Sequence, residues 1–193
     1  MNDGDSPAAL ERTGFWFLRH GETDWNARNL SQGDVEIPLN ENGIRQAHEA
    51  ARRLANLGIA SIVSSPLSRA RVTAEIAAAA LGLGVAFDEG LREVAFGEQE
   101  GQPMGEWYND WIAGTFTPEG AEPFADLRAR AIAAVNRTLG FPRPVLVVAH
   151  GGLFRALRAA MGLEPNIRTA NAVPIFCEPP APEGVAWTLR PAS

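Results

Sequence analysis

Lysine is absent from this 193-residue chain: all 17 basic residues are arginine, set against 23 acidic ones for a formal net charge of −6. That absence excludes a P-loop lysine, a kinase lysine and Schiff-base chemistry. The acidic balance argues against a nucleic-acid partner, because phosphate backbones are gripped by clustered Lys and Arg. The single cysteine, Cys177, excludes an internal disulfide and a Cys-rich zinc site. It reads as a small buried hydrophobe. No apolar run approaches the roughly 20 residues of a membrane span. The start, MNDGDSPAALERTG, has neither the basic region nor the apolar core of a signal peptide. The expectation is a cytoplasmic protein with no membrane partner.

What remains is 46% hydrophobic and 21% charged, enough for a core without disulfides or metal. A frayed tail over residues 1–13 and a single domain over 14–193 are expected. Short apolar runs at 15–18, 61–64, 85–87, 145–149, 173–176 and 185–189 read as strands. Between them lie helical patterns. Asn40 caps one whose apolar face is Ile44, Ala47, Ala51, Leu54 and Ala55, with Gly58 at its stop. Ser65 is expected to cap a second, with Pro66 at its first position and Leu67, Ala70, Ala74, Ala77, Ala78 and Leu81 inward. Residues 124–140 and those after Gly152 complete the set, and 95–123 read as an irregular lid. Alternating strands and helices predict an α/β fold: a three-layer α/β/α sandwich with a mostly parallel central sheet.

Two of the three histidines, His20 and His150, stand beside glycine directly after predicted strands. In open α/β sheets the ligand crevice lies beyond the carboxyl ends of the strands. If the two strands are neighbours, both histidines face one crevice. Arg19 adjoins His20, and Arg69 falls in the first turn of a helix, where free N–H groups already attract anions. Gly151 and Gly152 allow close approach of backbone to a ligand. His48 reads as structural or exposed, and Glu22 and Asp24 as solvated loop carboxylates.

These residues resemble the histidine phosphatase superfamily, the phosphoglycerate mutase-like proteins. The resemblance rests on Arg19-His20-Gly21-Glu22-Thr23-Asp24-Trp25-Asn26, then Gln32-Gly33, Ser64-Ser65-Pro66-Leu67-Ser68-Arg69-Ala70, Leu91-Arg92-Glu93 and Ala149-His150-Gly151-Gly152. It implies His20 as nucleophile, becoming a phosphohistidine. It implies Arg19, Arg69 and His150 around the phosphoryl group and Glu93 as general acid, then base. Asn26, Thr23 and Gly151 would add hydrogen bonds, with Gln32 and Gly33 in the same phosphate-binding set. The substrate would be a small phosphomonoester, and neither metal nor cofactor is implied. Adjacent arginines disfavour a protonated His20, as a nucleophile requires, and apolar neighbours on one side of Glu93 would suit a general acid.

The lid decides the branch. Residues 102–123 hold Glu106, Asp110, Glu119 and Glu122 and no basic residue. Such a lid is expected to repel a second anionic group, favouring a phosphatase over a phosphoglycerate mutase. A non-catalytic phosphate-binding module is the other alternative; a metal-dependent hydrolase has too few ligands. Trp107, Tyr108 and Trp111 stand either as substrate contacts or as lid packing.

Overall fold

The computed structural model describes residues 9–192. Its six strands are β1 (Phe15–Arg19), β2 (Ser61–Ser64), β3 (Val85–Phe87), β4 (Val145–Ala149), β5 (Ile175–Glu178) and β6 (Thr188–Pro191). The helices are α1 (Asp24–Ala27), α2 (Glu41–Leu54), α3 (Ser68–Leu81), α4 (Trp107–Ala113), α5 (Phe124–Thr138) and α6 (Gly151–Ala160). The sheet runs β3-β2-β4-β1-β5-β6. The first four strands are parallel, and β5 and β6 close one edge antiparallel.

Strand periodicity divides the interior in two. From β4, Val145, Val147 and Ala149 enter one core with Phe15 and Phe17 of β1. Leu146 and Val148 enter the other with Leu18. The first core is roofed by α5 and α6, through residues such as Leu127, Ile132 and Phe154. The second is roofed by α2 and α3, through Ala50, Leu54, Ala70, Ala74 and Ala77. A central strand covered on both faces is apolar throughout, which is why VLVVA is fully buried.

Several boundaries differ from the sequence expectation. The last two strands lie two to three residues later than 173–176 and 185–189: β5 begins after Pro174, which has no N–H to give, and β6 follows it in register, with Pro191 opposite Ile175. α3 begins at Ser68 rather than beside Pro66, with no side-chain cap. The Ser65 hydroxyl lies against His150 and accepts from the Leu67 N–H, one residue short of the helix. The lid holds a helix, α4, where irregular chain was expected. Residues 9–13 of the expected tail dock on α5: Leu10 is buried, and Asn136 bonds the Glu11 N–H and the Ala9 carbonyl. Residues 1–8 lie outside the described residues. No helix among the described residues is long and apolar enough to cross a membrane.

Candidate active site

β1 and β4 are parallel neighbours with Arg19 opposite Ala149, and the His20 N–H continues the ladder to the Ala149 carbonyl at 3.0 Å. On the other side of β4, the Ser65 N–H reaches the Val148 carbonyl at 2.9 Å. Three adjacent parallel strands therefore release His20, His150 and Ser65 at one end of the sheet. A cleft of about 160 Å³ opens there, lined by Arg19, His20, Asn26, Gln32, Gly33, Arg69, Glu93 and Gly151 among the residues singled out from sequence.

His20 is almost fully buried, and its Nδ1 lies 2.7 Å from the Gly21 carbonyl. A carbonyl only accepts, so Nδ1 carries the hydrogen and Nε2 keeps its electron pair. Burial, then the Arg69 and Arg19 charges, hold the His20 pKa well below the ordinary histidine value. His20 is thus neutral at pH 7, as attack on phosphorus requires. His150 is completely covered, with its ring centroid 5.3 Å from that of His20. Its Nε2 pairs with the Ser65 hydroxyl at 2.7 Å, an oxygen that also accepts from the Leu67 N–H at 3.3 Å. Burial and the same arginines also keep His150 neutral.

Arg69 has no exposed surface. It donates to the Gly33 and Val35 carbonyls, both at 2.7 Å, and keeps a buried Nε without a partner. Gly33 adopts φ +55°, and a Cβ there would lie 2.1 Å from the Glu100 carboxylate, so only glycine fits this turn. Arg19 donates to the Thr169 carbonyl at 2.7 Å and also keeps an unpartnered buried Nε. Burial lowers its pKa to about 10, leaving it charged at neutral pH. Thr23 is not in the cleft lining. Its hydroxyl accepts from the Asn26 N–H and donates to Gln32 Oε1, so it orients two residues that are. Asn26 Oδ1 accepts from the Thr23 N–H and from Asn171 Nδ2. With their oxygens occupied, both amides present NH₂ groups as donors.

The Glu93 carboxylate does not rest on apolar side chains as expected. It accepts from the Gly152 N–H at 2.8 Å, Leu153 N–H at 2.9 Å and Val94 N–H at 3.0 Å, at the N-terminus of α6. A Cβ on Gly152 would lie 2.7 Å from Glu93 Oε1, which gives the second glycine of the pair its reason.

Residues 15–173 match the sequence profile of the histidine phosphatase superfamily (branch 1). The chain belongs to that superfamily. Among its relatives is a probable phosphoglycerate mutase of Yersinia pestis, 41% identical over 70% of this chain and 68% of the relative. Among solved structures, a mycobacterial glucosyl-3-phosphoglycerate phosphatase in complex with VO3 is 32% identical, with a TM-score of 0.79 over 91% of this chain and 96% of that one. A Thermus thermophilus protein is 27% identical, with a TM-score of 0.75 over 94% and 100% of the two chains.

In this member of the superfamily the cleft also takes in residues that sequence spacing did not single out, Arg155, Arg168 and Asn29 among them. Arg155 lies five residues after His150 on α6, on a face that sequence spacing alone assigns to solvent. Its Nη1 donates to the Tyr108 hydroxyl at 3.3 Å, and its guanidinium sits 4.9 Å from the Tyr108 ring centre. The lid expectation fails with them. Glu106, Asp110 and Glu119 are exposed and do not line the cleft, while Glu122 pairs with Arg130. The cleft is lined by four arginines, none with a carboxylate within 4 Å among the described residues. Basic charge that the lid lacks arrives from α6 and the loop at 168. Of the three aromatics, Tyr108 reaches the cleft, Trp111 is fully buried with Nε1 donating to the Glu122 carbonyl, and Trp107 packs edge-on against Phe96.

Proposed function

We propose that the protein is a metal-independent phosphomonoesterase that passes the phosphoryl group through His20, with Glu93 as general acid and then general base. The observation that carries this reading is the state of His20. Its Nδ1–H is committed to a carbonyl, its ring is neutral, and its Nε2 electron pair is free beside Arg19 and Arg69. In the first step Nε2 attacks phosphorus, the P–N bond forms and the ester P–O bond breaks. The departing oxygen takes the proton of the Glu93 carboxyl, which must turn one oxygen away from the α6 N–H groups to deliver it. Positive charge developing on the ring is held through Nδ1–H by the Gly21 carbonyl. In the second step water attacks phosphorus and gives its proton to Glu93. The P–N pair returns to Nε2, and inorganic phosphate leaves. Charge on the equatorial oxygens is met by the guanidiniums, the Asn26 and Gln32 amides and the Gly151 backbone, replacing a metal.

The cleft has room for roughly ten water-sized groups, so a phosphoryl group with a short organic part fills it. Arg155 and Arg168 are more charge than one phosphoryl group needs, and they support a substrate whose organic part carries a carboxylate. Two relatives have phosphoglycerate in their names. The same pair of arginines favours the mutase as second reading, since a retained acid could be rephosphorylated. The deciding experiment follows labelled phosphoenzyme in EDTA with and without added phosphoglycerate. Release of label as inorganic phosphate is expected. Transfer to phosphoglycerate faster than to water would make the protein a mutase.

A further inference from the structure

Arg130 of α5 is outside the cleft lining, yet every N–H of its guanidinium is committed near Glu93. Nη1 donates to the Gly90 and Arg92 carbonyls, both at 2.9 Å, and Nη2 to the Glu93 carbonyl at 3.4 Å. Nε and Nη2 grip the two oxygens of Glu122 at 2.9 and 2.6 Å. A guanidinium has five N–H donors in a fixed fork, and here all five have acceptors. Three of those acceptors are main-chain carbonyls of the four-residue segment that ends in Glu93. The remaining two belong to Glu122, at the end of the lid. Glu122 is itself tied down: its N–H donates to the Ala95 carbonyl, and its own carbonyl accepts from buried Trp111 of α4. Two turns further along α5, Arg137 holds Asp88 at 2.9 and 2.7 Å, and the Asp88 carboxylate accepts from the Gly90 N–H at 2.7 Å, tying down the start of that segment.

We infer that Arg130 is the positioning residue for proton transfer by Glu93, holding the segment 90–93 in register with the lid through Glu122. The inference rests on Glu93 being the general acid of the proposed reaction. A carboxyl can protonate a departing oxygen only from hydrogen-bond reach. The Arg130 fork fixes the Glu93 main chain from the side away from the cleft. Loosening the fork lets the segment drift without altering Arg19, Arg69 or His20, so phosphate binding survives while protonation of the leaving group suffers.

The test is leaving-group selectivity. 4-Nitrophenyl phosphate releases a stable phenolate that needs no proton, whereas phenethyl phosphate releases an alkoxide that does. Glu93→Gln is expected to lower kcat/KM for the phenethyl ester at least tenfold more than for the nitrophenyl ester. Arg130→Gln should show the same selectivity, in the range of three- to tenfold, with vanadate affinity unchanged. Arg130→Lys keeps the charge near Glu122 but not the fork, and should fall between wild type and Arg130→Gln. Loss of positive charge near the histidines slows both esters alike, so it does not mimic the effect. Glu122→Gln serves as the milder variant should Arg130→Gln fold poorly, and it should show a smaller selectivity of the same sign. Equal losses on both esters in the Arg130 and Glu122 variants, with Glu93→Gln selective, would overturn the inference and leave the reaction standing. No selectivity in Glu93→Gln would overturn both.

Discussion

At the residue scale, the proposed reaction asks that His20 stay neutral beside two positive charges, and burial with Arg69 and Arg19 holds its pKa down. His20→Ala is expected to abolish both turnover and acid-labile phosphoenzyme labelling; a labelled, active variant would remove His20 from the reaction. Arg69 is held by two carbonyls and leaves its Nε without a partner. Arg69→Lys should lower kcat about 10²–10³-fold, roughly 3–4 kcal/mol of transition-state stabilisation, since a point charge cannot reproduce the fork. Steady-state kinetics showing less than a tenfold change would place Arg69 outside the chemistry. The sequence made His20, Arg19 and Arg69 legible because they sit directly at strand ends and a helix start. It did not make Arg155 or Asn171 legible, because each reaches the site from a stretch whose local pattern is ordinary.

At the element scale, the lid is fastened by α4. Trp111 and Trp107 with Tyr108 follow helical i, i+3 and i+4 spacing, a signal present in the sequence but masked by the surrounding Gly and Pro. Trp111 is fully buried and packs against Phe96 and Phe124. Trp111→Ala should destabilise the fold by roughly 3–5 kcal/mol, measured by urea unfolding, because a large core side chain leaves a cavity. A loss below about 1 kcal/mol would mean that α4 is not docked in solution. α6 presents a second case. Gly152→Ala drives a Cβ into the Glu93 carboxylate, so hydrolysis of alkyl phosphates should fall more than that of aryl phosphates, with kinetics on both esters as the check.

At the scale of the whole molecule, the buried histidines tie stability to pH. Both pKa values are lowered on folding, so the unfolded chain binds protons first as pH drops. Stability is therefore complete above the unfolded histidine pKa near 6.5 and declines as pH falls below it, by up to about 1.4 kcal/mol per pH unit for each histidine. Thermal melts between pH 7.5 and 5.5 should show this decline, and His150→Asn should flatten it. An unchanged slope in that variant would mean that His150 is protonated in the folded protein. The positive cleft predicts that activity survives EDTA. Restoration by Mg²⁺ or Zn²⁺ after a loss in EDTA would refute charge neutralisation by arginine.

The order of strands and helices, the two histidines at strand ends and the arginine in the first turn of α3 were all written in local patterns. Period-two and period-3.6 spacing and strand-ending Arg-His-Gly need no partner elsewhere in the chain to be read. Tertiary structure alone decided the rest. It put β1 beside β4, so that His20 and His150 meet, and it drew the Ser65 hydroxyl to His150. It seated Glu93 on the backbone of α6, 60 residues away in sequence. It also reversed the charge reading of the cleft. Glu106, Asp110 and Glu119 turn to solvent and Glu122 to Arg130, while Arg155 and Arg168, remote from the lid in sequence, line the cleft. Net charge along a segment is a property of composition. The field in a cleft is a property of which side chains the packing turns inward, and long-range contacts set that.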